Sequence, residues 1–255
     1  MSELMRVDKF LSDMCVGTRK EIKNMAKNGR IKLNGAVIKS TDIRINPLVD
    51  KITLDEKEIA FSKFEYYMLY KPQGVVSATS DASDKTVIDL IRENSEDTIR
   101  SQDLFPVGRL DKDTEGLLLI TNDGELAHRL LSPSKHVDKI YYAVIDGIVT
   151  EEDVRSFAQG ITLKDGTVTK PSKLRILKVL ESEQITEIEV TLYEGRYHQV
   201  KRMFAACGKH VAYLKRISMG KLQLDEGLRP GQFRALTNTE IALLTESTAV
   251  HRSVR

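Results

Sequence analysis

The amino-acid sequence predicts an α+β protein with two domains of unequal size, a small one over residues 1–60 and a larger one over residues 61–247. In the small part, helical spacing is followed by a hairpin signal. In the larger part, runs typical of buried strands alternate with helical patterns. A chain of 255 residues can bury a core without disulfides or metals. Residues 248–255 carry no pattern, and we expect them to form a frayed tail.

The composition limits the classes of protein that remain possible. Hydrophobic content of 41% and charged content of 30% indicate a soluble globular chain. Cys15 and Cys207 are too few and too far apart for a disulfide framework, which suits a reducing cytosol. The histidines do not cluster with cysteines at metal-ligand spacing, and no glycine-rich phosphate loop or long apolar stretch occurs. We therefore expect a cytoplasmic protein that uses no metal or cofactor and binds no membrane.

The small domain begins with two helices and a hairpin. Apolar residues recur at helical spacing over residues 7–14, and Thr18 with Glu21 forms the capping-box pattern that starts a second helix. Asn34-Gly35 then separates two short apolar runs, which is a strong signal for a tight β-turn.

Basic residues concentrate on one face of that second helix. At about 100° per residue, four cations lie opposite the apolar stripe: Arg19, Lys20, Lys23 and Lys27. Residues 1–50 hold ten Lys and Arg against six Asp and Glu, a net charge of +4. A solvated helix face explains this pattern, and so does a surface that neutralises nucleic-acid phosphates.

The segment RVDKFLSDMCVGTRKEIKNMAKNGRIKLNGAVI, from Arg6 to Ile38, resembles the S4 RNA-binding domain. The match covers nearly all of the first 60 residues. The resemblance implies structured RNA as the partner, and we expect the RNA contacts on the basic helix face: Arg19, Lys20, Lys23 and Lys27.

The larger domain has the pattern of one sheet with interspersed helices. Residues 66–70 and 117–120 are apolar runs typical of buried strands, and residues 187–192 alternate as in a half-exposed strand. Helical spacing falls between these runs, near Val87–Ile91, Glu125–Leu131, Glu151–Ala158 and His198–Cys207. We therefore expect a mixed sheet.

Three segments of this domain hold side chains that could carry chemistry. Residues 107–116 form a polar, glycine-bounded loop before a buried strand, and this loop contains Asp111. An aspartate in such a place is typical of a turn or cap, and Tyr141 in residues 138–143 is typical of a sheet aromatic. Residues 194–204 start a helix, and residues 195–221 hold seven Lys and Arg and no acids. A solvated surface or an RNA contact explains this charge.

Together, GRLDKDTEGLLLITNDGELAHRLLSP, DKIYYAVI and EGRYHQVKRMFAACG resemble, in order and spacing, the family of ribosomal small subunit pseudouridine synthase A. YYMLYKPQGVVSA, TKPSKLRIL and LRPGQFRALT extend the resemblance over nearly the whole chain. One departure is Tyr70, where relatives often have Asn before Lys-Pro. The resemblance implies a mixed, mostly antiparallel sheet and the isomerisation of uridine to pseudouridine, a rearrangement that needs no cofactor.

The resemblance also implies roles for individual residues. It gives Asp111 the role of nucleophile at the sugar carbon and Tyr141 that of packing against the uracil, with a part in proton removal. Lys201 would favour the ionised form of Asp111. The target base must leave its stack to reach Asp111. The expected contacts to the flipped nucleotide and the RNA backbone are Arg109, Arg196, His198, Gln199 and Arg202.

Alternatives remain on the sequence alone. The sequence of the third motif favours one uridine of 16S ribosomal RNA as the substrate. Either free RNA or an assembling particle could present this uridine. A sibling enzyme that acts on 23S RNA is the near alternative. A non-catalytic S4-type assembly factor is the alternative from another class. It would lack the nucleophile, yet Asp111, Tyr141 and Lys201 are present. We expect a monomer because no apolar heptad or interface stripe occurs.

Overall fold

The computed structural model describes residues 4–14, 16–59, 64–95, 103–132, 135 and 137–249. The chain divides into two compact units, one of Met1–Glu65 with Ser95–Asp103 and the other of Tyr66–Asn94 with Leu104–Arg255. This division lies a few residues beyond the boundary at residue 60 that the sequence predicts. Cys15, His136 and residues 250–255 of the predicted tail lie outside the described residues.

The smaller unit combines a helix pair with two small antiparallel sheets. Its elements in chain order are β1 (Met5–Arg6), α1 (Val7–Asp13), α2 (Arg19–Lys27), β2 (Ile31–Leu33), β3 (Ala36–Val37), β4 (Arg44–Ile45), β5 (Ile52–Leu54) and β6 (Lys57–Glu58). One sheet pairs β1 with β4, and the other has the order β3-β2-β5-β6.

Local signals in the sequence account for this small unit. Thr18 and Glu21 form the predicted capping box at the start of α2. Asn34 and Gly35 both have positive φ, 51° and 85°, as a type I′ turn between β2 and β3 requires. The apolar stripes of the two helices pack on the small sheets to form one core: Val7, Phe10, Leu11, Ile22, Ala26, Ile31, Ile45 and Ile52. The predicted order of helix, helix and hairpin is confirmed.

The larger unit is built on one sheet. Its elements in chain order are β7 (Tyr66–Lys71), α3 (Val87–Glu93), β8 (Phe105–Pro106), β9 (Glu115–Thr121), α4 (Gly124–Leu131), β10 (Lys139–Asp146), α5 (Glu151–Gln159), β11 (Lys173–Leu180), β12 (Ile185–Leu192), α6 (Gln199–Ala206), β13 (His210–Met219), β14 (Leu222–Gln223), β15 (Phe233–Ala235) and α7 (Asn238–Ala249). The strand order is β11-β12-β10-β13-β9-β7-β15, with β14 beside β13 and β8 beside β9.

The predicted mixed, mostly antiparallel sheet is confirmed. Within the described residues, every strand pair of this sheet is antiparallel except β9 with β13, which run parallel over two residue pairs, Glu115 with Lys215 and Gly116 with Arg216. By contrast, β10 and β12 pair over eight residues. The parallel junction therefore joins two larger antiparallel halves.

Gly116 permits this junction. A Cβ atom at Gly116 would lie 2.2 Å from the carbonyl oxygen of Arg216, and its φ of 106° is one that side-chain-bearing residues rarely adopt. Only glycine lets β9 approach β13 so closely. Because Asp111 lies five residues before Gly116, the same glycine places the polar loop against β13.

Each half of the sheet has its own helical cover. On one side of the junction, Phe157 of α5 and Phe204 of α6 pack with ring centroids 4.9 Å apart over the β10–β12 face. On the other side, α4 and α7 cover β7 and β9, with Leu130 and Leu244 fully buried. The four predicted helices near residues 87, 125, 151 and 198 are present, and α7 extends to Ala249, two residues into the predicted tail.

Two long strands, β11 and β13, have no counterpart in the sequence analysis. β13 was missed because its basic residues are typical of a solvent-exposed segment. In the structure Arg216 of this strand is only 1% exposed. None of the helices in the described part of the chain is long and apolar enough to span a bilayer.

Candidate active site

Asp111 lies in the loop that leads into β9, and its side chain is 26% exposed. The loop is tight, since Thr114 donates its backbone N–H to the Asp111 carbonyl at 3.0 Å. Ser77 fixes the preceding residue, because its hydroxyl donates to the Leu110 carbonyl at 2.9 Å and accepts from the Leu110 N–H at 3.0 Å. The carboxylate is therefore presented on a constrained backbone.

Lys71, the last residue of β7, holds the same loop through hydrogen bonds to its backbone carbonyls. Its side chain is fully buried, and its Nζ donates to the carbonyls of Asp111 at 3.0 Å and Thr114 at 2.9 Å. It also donates to the Pro72 carbonyl at 3.0 Å and approaches that of Lys112 at 3.4 Å. Burial lowers the pKa of Lys71 to about 8, against the attraction of nearby carboxylates. Sequence analysis did not single out Lys71, although a lysine ending an apolar strand is a signal that could have done so.

Two side chains at the start of α6, Lys201 and His198, lie close to the Asp111 carboxylate. The Lys201 Nζ lies 3.8 Å from Asp111 Oδ2 and 2.5 Å from Asp113 Oδ1. Its hydrogen bond holds the pKa of Asp113 below the usual range. The His198 Nε2 lies 3.5 Å from Asp111 Oδ1. Lys201 thus pairs with two carboxylates and is closer to Asp113 than to Asp111.

His198 adopts an unusual backbone conformation. With φ 48° and ψ 37° it is left-handed, immediately before α6. Such a conformation costs on the order of 1–2 kcal/mol in a residue with a Cβ. Among residues other than glycine, strain of this kind is concentrated at functional sites. Here it turns the imidazole toward Asp111.

A cleft of about 650 Å³ opens beside Asp111. Six residues singled out from the sequence line it: Arg109, Asp111, Tyr141, Arg196, His198 and Gln199. Asp111 precedes β9, in one half of the sheet, and Tyr141 lies on β10, in the other half. The cleft therefore lies over the parallel junction and brings the predicted nucleophile and the predicted stacking tyrosine to one cavity.

Some predicted RNA contacts are already engaged within the protein. Gln199 is 4% exposed, accepts the Arg196 N–H at 2.9 Å and donates to Glu194 at 2.8 Å. Its side chain thus shapes the cleft wall. Arg196 also pairs with Glu194 at 3.1 Å. Arg202 pairs with Asp165 at 2.5 Å and does not line the cleft.

The floor of the cleft holds buried cations that the sequence did not reveal. Arg216 pairs with Tyr141 across β13 and β10, and its Nε donates to the Leu117 carbonyl at 2.8 Å. Its Nη2 is buried without a hydrogen-bond partner in the described part of the chain. Lys139 is also buried, and burial followed by repulsion from Arg216 lowers its pKa to about 8. The cleft floor therefore favours anionic or carbonyl-rich ligands.

The basic face of α2 is exposed as predicted. All four of its cations are exposed, and within the described residues none lies in an ion pair: Arg19, Lys20, Lys23 and Lys27. Their charge is therefore available to a partner.

Family models match both parts of the chain. Residues 65–206 match the family described as RNA pseudouridylate synthase, and residues 5–47 match the S4 domain. An uncharacterized RNA pseudouridine synthase of Bacillus subtilis (strain 168) is 44% identical over 245 residues, covering 96% of this chain and all of the relative.

Relatives with named ribosomal targets are similar at nearly equal levels. Ribosomal large subunit pseudouridine synthase B of Bacillus subtilis (strain 168) is 36% identical, with 94% of this chain and 95% of the relative covered. Ribosomal small subunit pseudouridine synthase A of Vibrio vulnificus (strain CMCP6) is 37% identical, with 93% and 98% covered. A crystal structure of a pseudouridylate synthase aligns with a TM-score of 0.64 and 36% identity, over 94% of this chain and 99% of that one.

Proposed function

We propose that this chain, which belongs to the RNA pseudouridylate synthase family, acts on one uridine of 16S ribosomal RNA. The chain is a pseudouridine synthase that acts on RNA, and it carries an S4 domain. The finer assignment to 16S RNA rests on the segment EGRYHQVKRMFAACG, which resembles the small-subunit branch more than the large-subunit one. We further propose that the enzyme is a cytoplasmic monomer with its domains at residues 1–60 and 61–247.

One observation carries the proposed mechanism: Asp111, Tyr141 and His198 line a single cleft, with Lys201 within 4 Å of the Asp111 carboxylate. In the proposed reaction the target uridine flips into this cleft and Tyr141 packs against the base. Asp111 attacks or stabilises the electron-poor sugar centre as the N1–C1′ bond breaks. The base rotates, C5 bonds to C1′, and any bond between Asp111 and C1′ breaks in the same step. The C5 proton is then lost, and N1 takes up one proton. No atom is gained or lost overall.

The surrounding cations have a defined part in this mechanism. Lys201 lies beside both Asp111 and Asp113, and in this mechanism its Nζ holds the Asp111 carboxylate in position for attack. Arg109 lines the cleft and is placed to contact the flipped nucleotide or an adjacent phosphate. The buried cations Lys139 and Arg216 favour the negative charge that develops on the detached uracil.

Mapping of pseudouridine in a strain deleted for this gene tests the proposed target. Carbodiimide-modified RNA should lose one reverse-transcription stop in 16S RNA and none in 23S RNA. Plasmid-borne wild-type enzyme should restore the stop, and the Asp111→Asn variant should not. A stop lost from 23S RNA would reassign the substrate to the large subunit without changing the chemistry.

The basic face of α2 is proposed to supply affinity. Changing Lys20, Lys23 and Lys27 together to Gln should weaken RNA binding and reduce the slope of log affinity against log salt by about 2–3, since each phosphate contact contributes about 0.7–0.9. A filter-binding titration at several salt concentrations measures both. The matched control changes three lysines elsewhere: Lys51, Lys57 and Lys178. An unchanged slope in the α2 variant would mean that this helix face is only solvated.

A further inference from the structure

Tyr197 is exposed beside the candidate catalytic groups. Its side chain is 73% exposed and lines the cleft mouth. Among the described residues of the larger unit, no other large apolar or aromatic side chain is as exposed. Single exposed aromatics are ordinary on protein surfaces, so exposure alone assigns nothing. What distinguishes Tyr197 is its neighbour.

The Tyr197 ring stacks on the imidazole of His198. The ring centroids are 3.8 Å apart and the planes differ by 16°. His198 in turn lies 3.5 Å from Asp111. Carboxylate, imidazole and phenol thus form a series that leads from the reacting centre to the cleft mouth. One face of the Tyr197 ring is covered by His198, and the high exposure of the residue leaves the opposite face open.

The left-handed backbone of His198 fixes this arrangement. Because the conformation is strained, it persists only where its surroundings determine it, here at the start of α6. The Tyr197–His198 stack is therefore a preformed surface. A preformed aromatic face binds a planar ligand with little loss of conformational freedom.

We propose that the open face of Tyr197 is a stacking site for the unpaired nucleobase next to the target uridine. This inference rests on the proposed function. When a uridine flips out of its stack, the neighbouring base loses a stacking partner and exposes one face. An aromatic side chain replaces that partner, and because every base has a π-face, it does so for any base identity. Arg109, which lines the same cleft and is exposed, supplies positive charge for an adjoining phosphate.

Single-turnover kinetics with a 16S fragment bearing the mapped uridine test the proposal. Tyr197→Ala should weaken RNA affinity roughly 5- to 150-fold, the range for loss of one base–aromatic stack. The rate at saturating RNA should change much less. Tyr197→Phe should recover most of the affinity, because the ring is retained. Leu177→Ala, which removes an exposed side chain 43% accessible on β11, is the matched control.

Two RNA fragments, one abasic on the 5′ side of the target uridine and one on the 3′ side, identify which neighbouring base stacks on Tyr197. On the correct abasic RNA, Tyr197→Ala should cause no further loss of affinity, because the two changes remove the same contact. Equal losses on the intact and both abasic fragments would overturn the proposal. A lower saturating rate with unchanged affinity would also overturn it, since Tyr197 would then act on the target base.

A fluorescent base separates failure of this proposal from failure of the proposed function. With 2-aminopurine at the flanking position, stacking on Tyr197 should quench emission in the wild type and in Tyr197→Phe but not in Tyr197→Ala. This signal requires binding and no turnover. Absence of isomerisation with quenching intact would contradict the proposed reaction alone, whereas isomerisation with no Tyr197-dependent quenching would contradict the stacking site alone.

Discussion

Replacing Asp111 with Asn is expected to lower the single-turnover rate of isomerisation by at least about 10⁴-fold, because the amide has nearly the same shape but cannot act as a nucleophile. Tritium release from RNA labelled at C5 of uridine measures the rate. RNA affinity should remain within a few-fold of wild type, since Asp111 is one of many protein groups expected to contact the RNA. Asp111→Ala should give the same result.

Asp113→Asn is the matched control for this experiment. It removes the carboxylate that holds Lys201 at 2.5 Å but leaves the proposed nucleophile in place. We expect a loss of about 10-fold, caused by repositioning of Lys201. If Asp111→Asn kept more than a hundredth of the wild-type rate, or if Asp113→Asn were the more damaging change, the role given to Asp111 would be wrong.

Replacing Lys71 with Met should produce the largest effect on stability. The change leaves several carbonyls of the Asp111 loop without their buried donor, at an expected cost of about 2–4 kcal/mol in the free energy of unfolding. At roughly 2–4 °C per kcal/mol for a domain of this size, the melting temperature should fall by about 5–15 °C. The isomerisation rate should fall by about 10- to 100-fold as the loop shifts.

Lys112→Met is the control for Lys71, because it lies in the same loop. Its Nζ is paired with Asp84 at 2.6 Å, and its side chain is 52% exposed. Surface pairs of this kind contribute at most about 1 kcal/mol. Calorimetry should therefore show a small change for Lys112→Met. Equal melting temperatures in the two variants would mean that the contacts of Lys71 do not hold the loop.

The stability difference between wild type and Lys71→Met should also depend on pH. The pKa of Lys71 is lowered to about 8 in the folded chain from 10.5 in the unfolded one. Between these values the unfolded state binds more protons, so this residue adds stability as pH rises. The wild-type advantage should therefore grow from pH 8 to about 10.5. A constant difference would mean that the carbonyls keep Lys71 charged despite its burial.

Much of the fold follows from local patterns. The capping box at Thr18, the Asn34-Gly35 turn and the apolar runs of β7 and β9 each depend on a few neighbouring residues, and each is found in the structure. The capping box, the turn and the two strands need no knowledge of what lies far away in the chain. Asp111 is different: by itself an aspartate in such a loop is typical of a turn, and only the family motifs taken together single it out.

The remaining features depend on long-range contacts. Lys71 meets the Asp111 carbonyl across 40 residues of sequence, and Arg216 meets Leu117 across 99. Counting charges could not show that Arg216 is buried, since a basic residue normally indicates a surface. The stack of Tyr197 on His198 depends on a left-handed backbone at a residue other than glycine, which no common sequence signal marks.

The parallel junction at Gly116 has a consequence for when the enzyme becomes active. Asp111 belongs to one half of the sheet and Lys201 with Tyr141 to the other, and only two residue pairs of backbone join the halves. The strand that completes the junction, His210–Met219, is synthesised about a hundred residues after Asp111. A growing chain therefore contains Asp111, the proposed nucleophile, long before it contains β13. The two walls of the cleft therefore come together only after β13 has been synthesised.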